Sequence, residues 1–272
     1  MVKVRPFKAC LASKEHADKL ISPPYDVLNT EEARQMAEGN ECSFLHVNKP
    51  EIDLDSGVNP YADEFYQKGH DNLVEFQKKG FLVRDEVERL YIYRQIMGDQ
   101  TQTGIVACTS IDDYEKSLIK RHENTIKKKE EDRTKLTNTQ GANVGPVFLT
   151  YHDDDAISNR MMEITSNEEP YKSVTCEDGV QHIVWLCSED DSKFFCTKFE
   201  SISHLYVADG HHRTAAAYNV GKIRRDAALE AGQEVTGEEP FNYFMSIIYP
   251  DSQLKIMDYN RVLKSLNGLT SE

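Results

Sequence analysis

The chain has 272 residues, 39% of them hydrophobic and 29% charged, enough to bury a real core in one large domain or two small ones. Its formal net charge of −14 sets the surface against the DNA backbone, whose binding relies on clustered Lys and Arg, so a nucleic-acid partner is not expected. No apolar run approaches the roughly 18 residues of a membrane helix, and the opening Met1-Val2-Lys3-Val4-Arg5-Pro6 lacks the apolar stretch of a signal peptide; a cytoplasmic chain without a membrane partner is expected.

Residues 2–10 read as an opening strand. Ser22-Pro23-Pro24-Tyr25-Asp26-Val27 is a rigid loop, because adjacent prolines fix φ and push the preceding residues out of the helical region. Asn29 is placed to cap a short helix with Glu32 as its capping-box partner and Gly39 as its stop. Asn59-Pro60 opens a longer helix with Tyr61, Phe65, Leu73 and Phe76 near one face and Gly80 at its end. Residues 89–97 and 103–111 alternate as two strands of a hairpin turning at Gly98-Asp99. Residues 120–137 carry seven Lys or Arg against four acids, a local balance of +3, and residues 138–145 read as a loop. A strand over 147–151, a helix near 155–165, a hairpin over 172–176 and 181–187 turning at Asp178-Gly179, and a helix near 189–201 follow. A short apolar strand over 204–208 runs through Asp209-Gly210 into a helix over 211–221; residues 242–249 form a further strand with which 254–257 pair. Residues 267–272 read as a loop and helix cap with no helix after them, so a C-terminal portion is expected to be missing.

The six cysteines, Cys10, Cys42, Cys108, Cys176, Cys187 and Cys196, make no C-x-x-C pair and are expected to be ordinary buried thiols. The chemistry concentrates at the junction Asp209-Gly210-His211-His212-Arg213. A helix N-terminus offers unpaired N–H groups and a positive dipole end, Gly210 lets a ligand approach the backbone, and Arg213 can grip a phosphate with two prongs. The plain alternative makes Asp209 an N-cap and the histidines surface residues; three cationic or donor residues in a first turn, which disfavours positive charge, weigh against it. His211 and His212 point about 100° apart and share no metal, so no dedicated metal site is expected. The basic segment holds Arg121, His122, Glu123, Glu130, Asp132 and Arg133: either a solvated charged helix, or a phosphate-receiving segment whose acids support a metal or a substrate amine. Asp26, on its stiff loop, suits a general base or metal ligand, or is a turn residue. No P-loop, protein-kinase, dinucleotide or nucleophile-elbow motif is present.

These segments resemble a known family. Ser22 to Val27, Lys120-Arg121-His122-Glu123 through Glu130-Glu131-Asp132-Arg133, Gly145-Pro146-Val147-Phe148-Leu149-Thr150-Tyr151, Ala208 to Arg213 and Tyr259-Asn260-Arg261 look like the domain-of-unknown-function family 1015 (DUF1015), in order and spacing, over essentially the whole chain. That family is similar to free serine kinases of the ParB/sulfiredoxin-like superfamily, in which a Gly-x-x-Arg turn at a helix N-terminus grips nucleotide phosphates; Gly210-His211-His212-Arg213 fits it. The resemblance implies a mixed α/β fold: a ParB/sulfiredoxin-like core with a mixed sheet, flanking helices and hairpin-containing insertions. It implies one catalytic region over 1–272, divisible into two lobes of about 1–150 and 151–272. It implies ATP- or ADP-dependent phosphorylation of free L-serine to O-phosphoserine, with Mg²⁺ carried by the nucleotide. Asp26, Asp209 and His211 would be catalytic; Gly210, His211, His212, Arg213, Arg121 and His122 would hold phosphate; Glu123, Glu130, Asp132 and Arg133 would support substrate or metal. The competing readings are a nucleotide-binding regulator and a nucleotide phosphohydrolase of ParB-like type. The turn lacks sulfiredoxin's cysteine, which weighs against that activity, and the sequence leaves the oligomeric state open.

Overall fold

The computed structural model describes residues 1–55 and 62–258, with 263, 265, 267, 268 and 270. The expected opening strand is split in two: β1 (Val4–Arg5) and β2 (Cys10–Ala12). Pro6 has no N–H to give a ladder, and Phe7 beyond it keeps only an isolated antiparallel bridge to Arg89. Four helices follow, α1 (Ala17–Leu20), α2 (Thr30–Ala37), α3 (Leu45–Asn48) and α4 (Asp63–Lys78). The Asn29–Glu32 capping box is formed in both directions at 2.9 Å. In α4, Phe65, Leu73 and Phe76 are buried as expected; Asn59, Pro60 and Tyr61 lie outside the described residues. β3 (Leu82–Arg84) pairs with β2 in a separate two-stranded sheet.

The predicted hairpin is β4 (Tyr91–Met97) and β5 (Gln100–Ser110). Then come α5 (Ile111–Glu115), β6 (Ile119–Lys120), α6 (Lys127–Gln140), β7 (Val147–Tyr151), α7 (Asp155–Asn167), β8 (Lys172–Thr175), β9 (Gln181–Leu186), α8 (Glu189–Phe199), β10 (Leu205–Asp209), α9 (His211–Glu230) and β11 (Tyr243–Pro250). Nine of these strands form one mixed sheet in the order β6-β10-β7-β11-β5-β4-β9-β8, with β1 joined to β5. The fold is mixed α/β. Its main core is the apolar sheet face, including Ile92, Ile105, Leu149 and Phe244, closed by Ile157 and Met161 of α7 and by Phe195 and Phe199 of α8. Smaller clusters, such as Leu73, Phe76, Phe81 and Leu82, hold the N-terminal helices.

Four further expectations change. α6 runs through Gln140 and stops at Gly141, so residues 138–140 are helical rather than loop. α9 continues nine residues past Gly221, which is there for close packing: a Cβ would collide with Ile111 and sit 2.6 Å from the Phe241 carbonyl. Residues 254–257 form no strand, because β11 already has β5 and β7 on its two sides; Gln253 instead ties the chain back to Gln100 and Thr103. Cys42 and Cys187 are buried, but Cys10 is exposed and Cys108, Cys176 and Cys196 are half-buried. No helix among the described residues is long and apolar enough to cross a membrane.

Candidate functional site

Strand direction assembles the site. β6 and β10 run parallel, with Leu205 opposite Ile119 and Tyr206 opposite Lys120. Their C-terminal ends therefore deliver Arg121-His122-Glu123 and Asp209-Gly210-His211 to one place. β7 is antiparallel to β10, so its entry, Gly145-Pro146, arrives there too. Carboxyl ends of neighbouring parallel strands are where open α/β sheets take ligands. α6 and α9 pack against each other over this end, and Ala215, Ala216 and Ala217 are buried on the α9 side.

Gly210 occupies the left-handed region at φ +90° and is the N-cap of α9. It has no side chain to offer, so no cap hydrogen bond closes the helix, and no acid stands in the first turn. Asp209 is not the cap either: it accepts a hydrogen bond from Arg213 Nη2 at 2.7 Å. Arg213 folds back over Gly210, where a Cβ would meet its Nε at 3.1 Å, and its Nη1 donates to the Pro146 carbonyl. The guanidinium is thus fixed beside an open helix N-terminus, the geometry of an anion seat.

The two histidines part as their positions on the helix require. The Ile126 N–H donates to His212 Nε2 at 3.1 Å, so His212 caps the start of α6. His211 turns the other way and is only 5% exposed. Its Nδ1 lies 3.1 Å from Glu123 Oε1, and its ring meets that of His122 edge-on, centroids 4.4 Å apart. One ligand-capable atom from each of His122, Glu123 and His211 falls within 4.8 Å of the others, although His122 and Glu123 are exposed. His211 Nε2 is buried without a hydrogen-bond partner among the described residues. Burial pushes the His211 pKa down against the pull of Glu123, with His122 adding to the lowering.

The basic segment divides into working parts. Arg133 lies over the Tyr25 ring at 4.3 Å and is held by Asp132 at 2.6 Å, which also accepts from Tyr66 Oη. Burial raises the Tyr25 pKa, and Arg133 opposes it. Glu130 is a bracket between helices: it accepts from Thr125 Oγ1 and from Asn219 Nδ2 of α9. Those bonds hold its pKa below the usual carboxylate range, the Thr125 bond first. Arg121 is exposed beside the Tyr114 hydroxyl, and Asp26 is exposed on the Pro-Pro loop next to Tyr25.

A cleft of about 70 Å³ joins Pro24, Tyr25, Arg133, Gly145 and Arg213, four of the sequence segments singled out above. It shares Thr137 and Asn143 with a larger cavity of about 270 Å³. Arg5, Lys8, Arg84 and Arg224 line that cavity, together with Phe7, Phe241 and Tyr243. Sequence reasoning missed these residues. They are scattered through the chain, and no local signal groups them.

The family described as "Protein of unknown function (DUF1015)" matches residues 4–272. No curated protein and no solved structure matches the chain.

Proposed function

We propose that this chain, which belongs to the DUF1015 family, holds the phosphates of ATP or ADP at the start of α9 and transfers a phosphoryl group to a small hydroxyl substrate, free L-serine in the first instance. The observation that carries this reading is the uncapped N-terminus of α9 with Arg213 fixed beside it, in a cleft that also holds Arg133. On a chain of net charge −14, two guanidiniums lining one cleft, one of them beside a bare helix start, supply the donors of a local anion seat. The same reading relates the core to ParB/sulfiredoxin-like proteins and places the protein in the cytoplasm.

The nucleotide supplies the phosphoryl group, and Mg²⁺ carried with it would offset the negative charge of the phosphates. The protein's share is position and charge. The α9 N–H groups and Arg213 hold the phosphates; Arg133, steadied by Asp132 and Tyr25, faces them from α6. Asp209, 2.7 Å from the Arg213 guanidinium, is the carboxylate assigned in this reading to take the hydroxyl proton. The serine oxygen–phosphorus bond forms, the nucleotide's bridging P–O bond breaks, and the proton goes to the carboxylate. Asp26, exposed and next in sequence to the Tyr25 that lines the cleft, is assigned to the serine ammonium. The adjoining cavity, with its aromatic walls, has the character a nucleoside base needs.

The test is incubation with ATP or ADP, Mg²⁺ and a panel of small hydroxyl compounds including L-serine, with products read by mass spectrometry. O-phosphoserine that disappears in Arg213→Ala is the expected result. Nucleotide binding without any phosphorylated acceptor would replace the kinase with a nucleotide-binding regulator, and phosphate release indifferent to serine would replace it with a phosphohydrolase.

A further inference from the structure

We propose that His122, Glu123 and His211 form a binding site for one divalent transition-metal ion of the zinc class, held by two imidazoles and a carboxylate. The parallel pairing of β6 and β10 puts the three residues at one sheet end, from stretches of chain that are far apart in sequence. Their ligand atoms lie within 4.8 Å of one another. In a tetrahedral site with bonds of about 2.1 Å, ligand atoms are about 3.4 Å apart. The 3.1 Å between His211 Nδ1 and Glu123 Oε1 is already at that scale, and the exposed His122 and Glu123 side chains are free to close the rest.

A second observation points the same way: His211 is 5% exposed, so packing fixes its ring with Nδ1 turned to Glu123. Neighbouring elements leave room for this. His212 is committed to Ile126, Glu130 to Thr125 and Asn219, and Asp209 to Arg213, so the nearby polar groups have other work.

The donor set selects the ion. Two imidazoles favour zinc, cobalt or nickel over the hard, oxygen-seeking Mg²⁺. Three protein ligands leave a coordination position for an oxygen from solvent or a bound ligand, as in open metal sites. The site is distinct from magnesium carried by a nucleotide, and it stands on its own geometry whether or not a nucleotide binds.

The test uses the untagged full chain, stripped with chelator and titrated with Co²⁺ without nucleotide. The visible d–d spectrum and calorimetry are the readouts, followed by displacement with Zn²⁺. One equivalent of Co²⁺ is expected, displaced by Zn²⁺ but not by a large excess of Mg²⁺. Affinity is expected to fall at least about tenfold in His122→Ala and in Glu123→Gln. Both residues are exposed, so the fold should survive, with circular dichroism as the check. His211→Ala is expected to abolish the spectrum. No saturable Co²⁺ binding, binding unchanged in the His122→Ala/Glu123→Gln double variant, or equal displacement by Mg²⁺ would each overturn the site. Arg213→Ala separates the two proposals: it should lose nucleotide while keeping Co²⁺.

Discussion

The helices α8 and α9 start in opposite ways. At α8, Ser188 accepts the Asp191 N–H at 3.1 Å and donates back to the Asp191 carboxylate, and Glu189, Asp190 and Asp191 fill the first turn. Asp191 is buried and also takes Arg160 at 2.7 Å. Every feature there satisfies the helix dipole from within. At α9 the cap is a glycine, the first turn has no acid, and two histidines and an arginine stand where negative charge is preferred. The contrast teaches that the α9 start is not merely a poorly built helix end. Behind it Ala215, Ala216 and Ala217 are buried, and on the proposed reading its front receives an anion.

The largest effect that sharpens the contrast comes from Arg213→Ala. Losing two charge-assisted hydrogen bonds to phosphate should cost roughly 2–4 kcal/mol of ligand interaction, roughly 30- to 1000-fold in nucleotide-dependent kcat/KM. Next is Gly210→Ala, where a Cβ meets the strained φ of +90° and crowds Arg213. Thermal unfolding should show a loss of about 1–2 kcal/mol, and nucleotide affinity should fall with it. Ser188→Ala should do the reverse at α8: about 1 kcal/mol lost in a denaturant melt, nucleotide affinity unchanged. If Ser188→Ala and Arg213→Ala gave the same pattern, the contrast between the two helix starts would have no functional meaning.

The smallest effect concerns pH. Glu130 has a folded-state pKa below its unfolded value, so its contribution to stability is present above the unfolded carboxylate value, about 4.3, and is lost as pH falls through the folded value. Urea melts between about pH 6 and pH 3 should show Glu130→Gln less acid-sensitive than the parent chain. A parallel acid limb in both proteins would remove Glu130 from the α6–α9 bracket.

Local features were legible in the sequence. The Asn29–Glu32 capping box, the Asp178-Gly179 hairpin and the strand–turn–helix at residues 205–213 all follow from neighbours in the chain. The family resemblance pointed to Gly210-His211-His212-Arg213, and Arg213 does fold back over Gly210. What escaped was non-local. β6 is two residues long, too short for any periodicity, yet its pairing with β10 is what brings His122 and Glu123 to His211. Reading His211 and His212 as a pair rightly separated them on the helix, but could not supply the partner from the other strand. The helix was ended at residue 221 for a similar reason: Gly221 serves close packing against Ile111 and Phe241, contacts that only the fold reveals.

Calorimetric titration of ATP and ADP, with Mg²⁺, into the parent chain, Arg213→Ala and Ser188→Ala tests the central claim most directly. The expected result is saturable binding by the parent chain and by Ser188→Ala, with binding by Arg213→Ala weakened at least about tenfold. Equal affinity in all three proteins, or no nucleotide binding by the parent chain, would contradict the assignment of the α9 start as a phosphate seat.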